Sequence, residues 1–223
     1  MNLLYKEAFR TTGPHNRFVY GNASKLIVLI MYTGMRVSEA CALRWCDVDL
    51  QNNVIHVSSS LSKVKARTKD KEQLKNENRT AKYKLIVKQP KTENGIRKIP
   101  LPYRAVEMIN FFHMNNQTHK SSDFVCLTEA GKPYEKEQVE RSLKRMLKRS
   151  DCSRKDYTPH SLRHGYGSIL ISKGTDIKLV SGLLGHSDVT FTYNVYIGIF
   201  KEDKRKAVTL LDGLLVYFKT HIF

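Results

Sequence analysis

Between Asn22 and Gly34 the chain reads NASKLIVLIMYTG, apolar on nearly every side, which predicts a buried helix with Asn22 or Ser24 as N-cap and Gly34 as its stop. VSEACALR follows and predicts a short second helix ending near Trp45. The pattern then changes period. NNVIHVSSS, KYKLIV and GIRKIP alternate and are β-branched, so residues 53–100 predict a small antiparallel sheet of three strands. The polar, charged stretch 61–81 between the first two of these predicts a loop. YRAVEMINFFHMNNQ predicts an amphipathic helix, DFVCL a short extended piece, TEAGKP a turn, and YEKEQVERSLKRMLKRS a helix with a basic face. From Thr158 onward the pattern is mostly helical. The expected fold class is mainly α with a small antiparallel three-stranded sheet (α+β).

Composition narrows this picture. A chain of 223 residues with 41% apolar content is long enough for one good-sized domain with a real core. No stretch approaches the roughly 18 apolar residues of a membrane span, and the start MNLLYKEAFR has no signal-peptide h-region, so the expectation is a soluble, cytoplasmic protein without membrane partners. Cys41, Cys46, Cys126 and Cys152 form no CxxC pair, which argues for reduced thiols and no metal site. Charge is the stronger signal. The formal net charge is +17, and it is concentrated: Lys63 to Arg104 holds fourteen Lys/Arg against four Asp/Glu, and Arg141 to Lys155 seven against one. Clustering of this kind points to a polyanion, with Lys63, Lys65, Arg67, Lys88, Lys98, Arg141, Lys144, Arg145 and Lys148 as candidate phosphate contacts. The alternative is a basic surface that binds nothing.

Four short stretches could carry chemistry. In YTPHSLRHGYGSIL, Thr158 suits the N-cap and Pro159 the first helical position, which places His160 in the first turn and Arg163 on the same face. Backbone N–H groups and the helix dipole there favour a bound phosphate and a neutral imidazole, while Arg163 offers a planar fork of donors. His160 and His164 are four apart, but Ser161 stands where HExxH has glutamate, which argues against a zinc protease. Arg36 follows the stop at Gly34, three residues before Glu39, whose carboxylate could hold the guanidinium. Lys91 sits beside a turn at ENG. Each stretch alone also reads as ordinary structure: a capped helix, an ion pair, one lysine among many. In LGHSDVTFTYNVYIGIF, Tyr193 and Tyr196 read equally as packing aromatics on a short helix.

Taken together and in this order, TGMRVSEACALRW, PKTENGIRKIPL, HSLRHGYGSIL and LGHSDVTFTYNVY resemble the catalytic domain of the tyrosine recombinases, the phage integrase family. The resemblance runs from about residue 25 to residue 196. It implies that Arg36 and Arg163 clamp a scissile DNA phosphate, that Glu39 supports Arg36, that Lys91 is the general acid with Lys88 and Lys98 as nearby competitors for that assignment, that His160 is a base or phosphate contact, and that His186 hydrogen-bonds the phosphate. The family's tyrosine follows the LGH histidine by nine or ten residues, which selects Tyr196 as nucleophile and leaves Tyr193 to packing. The implied reaction makes a 3′-phosphotyrosyl link to double-stranded DNA and needs no cofactor, metal or small-molecule substrate.

The resemblance also implies limits. About two dozen residues precede the first core helix, so the expectation is a single catalytic domain over 1–223, with a core of about 22–200, a tail at 201–223, and the family's core-binding and arm-binding domains absent. The tail could pass to a neighbouring protomer in a homo-oligomer, a tetramer on DNA, or pack on its own domain. Two rivals stay open: a type IB topoisomerase using similar residues, and a catalytically inactive DNA-binding fragment.

Overall fold

The computed structural model describes residues 2–13, 17–65, 83–90, 95–150 and 157–197. Its centre is the helix expected from the apolar run. After α1 (Asn2–Ala8), β1 (Thr11–Thr12) and β2 (Arg17–Phe18), helix α2 (Gly21–Thr33) carries Leu26 through Met31 with no solvent exposure. Gly34 stops it as expected, in the left-handed conformation at φ 64°, its N–H donating to the Ile30 carbonyl at 2.9 Å. The start differs from the sequence reading. Neither Asn22 nor Ser24 caps α2: Glu129, from the turn after Leu127, accepts from the Asn22 N–H at 2.6 Å, and the Ser24 hydroxyl donates to the Ala8 carbonyl instead. A carboxylate distant in sequence supplies the cap, which local sequence cannot reveal. Beside it, the buried Lys25 amine donates to Ala8 O at 2.7 Å and lies over the Phe18 ring, pinning the N-terminal segment to α2.

Helix α3 (Val37–Ala42) is shorter than expected, because the chain turns at Leu43 into a 3₁₀ turn at Trp45–Asp47. The sheet is also arranged differently. Strands β3 (Val48–Asp49), β4 (Val54–Val57) and β7 (Arg97–Pro100) form the three-stranded antiparallel sheet in the order β3-β4-β7, with Ile55 opposite Ile99. KYKLIV is not in it. As β6 (Tyr83–Lys88) it pairs with β5 (Ser60–Lys65) in a separate two-stranded ribbon, so the stretch read as loop begins as a strand. Leu61 is buried at the ribbon's base while Lys63 and Lys65 are exposed. A ribbon leaving the core sees solvent on both faces and needs no apolar alternation, which hides it from pattern reading.

The remaining elements are helical: α4 (Tyr103–Asn115), α5 (Lys136–Arg149), α6 (Pro159–Ser172), α7 (Ile177–Leu184), and a last helix, α8, over 189–197. Helices α4, α5 and α6 surround α2. On α5, Val139, Leu143, Met146 and Leu147 face inward and Arg141, Lys144, Arg145 and Lys148 outward, the basic face that the sequence predicts. Thr158 caps α6 as expected, its hydroxyl accepting from the Ser161 N–H at 3.3 Å, with Pro159 at the first helical position. The fold is mainly α with small antiparallel sheets, as the sequence indicates. A second, smaller apolar cluster of Ile171, Val180, Leu184 and Tyr196 joins α6, α7 and α8. Cys41, Cys46 and Cys126 are free thiols, and Cys152 and the tail at 201–223 lie outside the described residues.

Candidate active site

The glycine stop at Gly34 swings the chain out of α2 and delivers Arg36 to the start of α3. There the Glu39 carboxylate accepts from the Arg36 backbone N–H at 2.8 Å and from its guanidinium at 2.7 Å, the pairing expected from their spacing. Glu39 has a second partner. Arg97, from β7, donates to Glu39 Oε2 at 2.8 Å and Oε1 at 3.2 Å, both side chains being buried. Burial raises the Glu39 pKa, but the hydrogen bonds and charge of Arg97 and Arg36 outweigh it and hold the carboxyl below its ordinary value. One carboxylate thus fixes two arginines.

Arg163, one turn into α6, is also buried. It donates to the carbonyls of Gly34, at 2.8 Å, and of Leu184, tying the ends of α2 and α7 together. Burial and the Arg36 charge lower its pKa to about 9, still well above neutrality, so it stays cationic. Three arginines and Lys136 against the carboxylates of Glu39 and Glu140 leave excess positive charge around a pocket of about 370 Å³ lined by Arg36, Ser38, Lys136, Glu140, Thr158, His160 and Arg163. Lys136, not anticipated from the sequence, also lines it, paired with Glu140 at 3.5 Å.

Three imidazoles border this charge. His160 and His164 meet edge to face at 4.5 Å, and both have lowered pKa values, from burial first and then from charge: His164 and Arg163 for the former, Arg163 for the latter. His186, on the loop after α7, shares a 2.8 Å hydrogen bond with the Thr192 hydroxyl of α8, and burial followed by the charges of Arg163 and Arg36 takes its pKa to about 4. All three are therefore neutral near pH 7. A consequence for stability follows. The unfolded chain takes up protons near pH 6.5, whereas folded His186 resists them down to about pH 4, so stability falls as pH drops through this window. The unfolding midpoint should be lower at pH 5 than at pH 7.5, and His186→Gln should flatten that difference. An equal difference in both proteins would remove His186 as a contributor.

Tyr196 lies behind this pocket. Its ring packs against Ile171, Val180 and Leu184, 6.2 Å from the His164 ring, and its hydroxyl is buried with no hydrogen-bond partner among the described residues. Burial raises its pKa and Arg163 partly offsets this. Tyr193, by contrast, is 45% exposed. The fold thus brings Arg36, Glu39, His160, Arg163, His186 and Tyr196 to one locality. Lys91 and Arg67 lie outside the described residues.

Of the basic positions, Arg141 and Arg145 join Lys84 and Lys132 along an open groove of about 1050 Å³ between the β5–β6 ribbon and α5. Lys65, Lys88, Lys98, Lys144 and Lys148 are exposed, whereas Lys63 is paired with Glu135 at 2.5 Å. No helix among the described residues is long and apolar enough to cross a membrane.

The model of the phage integrase family matches residues 19–203, most of the chain and every element of this site. The chain belongs to the phage integrase family. Among its relatives in the family, it is 31% identical over 210 residues to a tyrosine recombinase XerC of Pediococcus pentosaceus, covering 91% of this chain and 56% of that one. A tyrosine recombinase XerC-like protein of Caldanaerobacter subterraneus subsp. tengcongensis is 28% identical over 209 residues, 88% of this chain and 51% of its own. In structure, the chain is similar to the Tn1549 transposon integrase in complex with transposon right end DNA, with a TM-score of 0.64 at 27% identity, covering 82% of this chain and 58% of that one. The chain spans about half the length of the curated relatives it matches.

Proposed function

We propose that this integrase-family chain is the catalytic domain of a site-specific DNA recombinase acting in the cytoplasm on double-stranded DNA, serving integration and excision of a mobile element. The observation that carries the reading is the Glu39-organised pair of Arg36 and Arg97 beside Arg163, with neutral His160 lining the pocket, neutral His186 within reach of the charges of Arg163 and Arg36, and a buried tyrosine hydroxyl near Arg163. Such a set is positioned to bind the non-bridging oxygens of a phosphodiester and to stabilise the charge they gain when phosphorus is attacked.

In this mechanism the Tyr196 oxygen attacks phosphorus in line. Its proton passes to His160, whose neutral imidazole can accept it, while Arg36 and Arg163 hold the phosphate and His186 donates to it. The P–O5′ bond breaks, the departing oxygen takes a proton from Lys91, and a 3′-phosphotyrosyl bond replaces the phosphodiester. One bond is exchanged for another of similar energy, so the reverse steps join a new 5′-hydroxyl. The chemistry calls for no metal or nucleotide. Exchange between two duplexes requires at least two chains, which supports a homo-oligomer on DNA.

Relatives named as recombinases and as a transposase from transposon Tn916 support strand exchange over relaxation of supercoils, and the transposon names support a mobile element. A nicked duplex that loses its short 5′ fragment after cleavage should trap the chain covalently, and a two-site recombination assay beside a plasmid relaxation assay separates recombinase from topoisomerase. Absence of any trapped adduct would leave only the inactive DNA-binding fragment.

Duplex binding itself should be weak and steeply salt-dependent. If Lys84, Lys132, Arg141 and Arg145 each neutralise one phosphate, the affinity should fall roughly a hundredfold between about 50 and about 200 mM salt. Tight binding at the higher salt would contradict this.

A further inference from the structure

The loop that carries His186 is held from several sides. Gly185 ends α7 in the left-handed conformation at φ 66°, and the His186 N–H donates to the Ser181 carbonyl at 3.1 Å. The two carbonyls just before His186 are taken by the arginines of the site: Arg163 donates to Leu184, and Arg36 to Gly185 at 3.2 Å. The Phe191 ring meets the imidazole edge to face at 4.9 Å, and Thr192 Oγ1 lies 2.8 Å from its Nδ1. Thr192 and Tyr196 are the buried positions of α8, one turn apart. The helix that carries the tyrosine therefore also carries the partner of His186.

Burial decides the direction of the Thr192–His186 bond. A hydroxyl and a neutral imidazole nitrogen can each donate or accept. Thr192 has no solvent exposure, and its hydroxyl has no second partner among the described residues. If Nδ1 carried the proton, the hydroxyl would accept, and its own hydrogen would face a buried space without an acceptor, a costly arrangement. Donation from the hydroxyl to Nδ1 wastes only lone pairs. The ring is neutral near pH 7, because burial and then the charges of Arg163, Arg36, His164 and Arg97 oppose its protonation. A neutral imidazole that accepts at Nδ1 carries its proton on Nε2.

We propose that Thr192 is a positioning residue that fixes the tautomer of His186, so that Nε2–H is presented as a hydrogen-bond donor to a non-bridging oxygen of the phosphate. This rests on the reading of the site as one that cleaves DNA. Without the hydroxyl the proton is free to move to Nδ1, and Nε2 then turns a lone pair toward an anion, which repels it. The ring also loses the bond that sets its orientation, so the donor is neither reliably protonated nor reliably aimed.

The test uses the full chain, isotope-labelled at the histidine nitrogens, near pH 7. Long-range proton–nitrogen NMR correlations tell a protonated ring nitrogen from an unprotonated one, and the His186 signals are assigned by their loss in His186→Gln. In the free parent, Nε2 should be protonated and Nδ1 not. Thr192→Val, which keeps the shape and removes the hydroxyl, should draw the two nitrogens toward an average, and Thr192→Ser should keep the parent pattern. At saturating nicked duplex and below every unfolding midpoint, the rate constant of covalent trapping should fall about tenfold in Thr192→Val, the scale on which loss of a residue orienting a functional histidine acts, and Thr192→Ser should restore most of it. In a His186→Ala background Thr192→Val should change the rate no further, because the hydroxyl acts through that ring. A protonated Nδ1 in the parent, unchanged His186 signals in Thr192→Val, or equal slowing by Thr192→Val with and without His186 would each overturn the proposal. The expected tautomer with no adduct in any of these proteins would instead defeat the cleavage reading, since the tautomer is read from the free chain.

Discussion

Replacing Tyr196 by phenylalanine is expected to abolish the covalent adduct on a nicked duplex, a loss of at least about 10⁴-fold, the scale on which removing a covalent nucleophile acts. The Tyr196 oxygen is the atom that would bond to phosphorus, and a phenylalanine ring offers no substitute. Tyr193→Phe should leave the adduct yield within about twofold, because its side chain is 45% exposed and lies outside the apolar cluster that holds the Tyr196 ring. Structure should survive the first change. The ring would still fill the Ile171–Leu184 cluster, and a buried hydroxyl without a partner would be removed, so the unfolding midpoint of Tyr196→Phe should equal or exceed the parent's. Trapping by Tyr196→Phe together with its loss in Tyr193→Phe would transfer the role to Tyr193.

The readings that rested on local chemistry correspond to the structure. The all-round apolar run became the central helix, Gly34 ended it in a left-handed conformation, and Thr158–Pro159 opened α6, because each depends on residues within a turn of one another. The misses share a different cause. The cap on α2 is Glu129, about a hundred residues away, and β5 is defined by its pairing with β6, beyond residue 82, rather than by an alternation of its own. Arg97 is the instructive one. The pattern of GIRKIP predicts a strand but not which parity faces inward, and the strand buries Arg97 and Ile99 while Ile96 is 62% exposed. An arginine on the inward parity of a strand needs a buried counter-charge, which Glu39 supplies from 58 residues away. That signal was present in the sequence, whereas the identity of the partner depended on packing of β7 against the end of α7, where Arg97 also donates to the Leu183 carbonyl at 2.8 Å. The distinction between Tyr193 and Tyr196 was likewise invisible to periodicity. It came from the resemblance, and the structure adds an inward Tyr196 and an outward Tyr193.

Glu39→Ala is expected to cost about 3–5 kcal/mol of stability, the range for removing one partner of a buried ion pair. The carboxylate accepts from Arg97 at 2.8 Å and 3.2 Å, from the Arg36 guanidinium at 2.7 Å and from the Arg36 N–H at 2.8 Å, so its loss leaves donors from two elements without their acceptor. The two arginines should not contribute equally. Arg36 has a side chain 40% exposed and can turn to water, whereas Arg97, at 6%, cannot, so most of the penalty belongs to the uncompensated Arg97 charge. For a chain of this size the loss corresponds to a fall of roughly 6–20 °C in unfolding midpoint. Glu39→Gln, which keeps the shape and one acceptor but not the charge, should fall between Glu39→Ala and the parent. In the double variant Glu39→Ala, Arg97→Met the stranded charge is gone, and stability should recover most of the loss, as replacing both members of a buried pair often does. Denaturant unfolding of the four proteins measures this directly, and a Glu39→Ala loss below about 1 kcal/mol would mean that Arg97 finds another acceptor. Arg36 gives the same experiment a functional arm. Without Glu39 its guanidinium keeps only the 3.2 Å bond to the Gly185 carbonyl, so trapping on the nicked duplex should slow even at temperatures where the variant is fully folded, and Glu39→Gln should restore part of that rate by returning a single oxygen to hold the guanidinium.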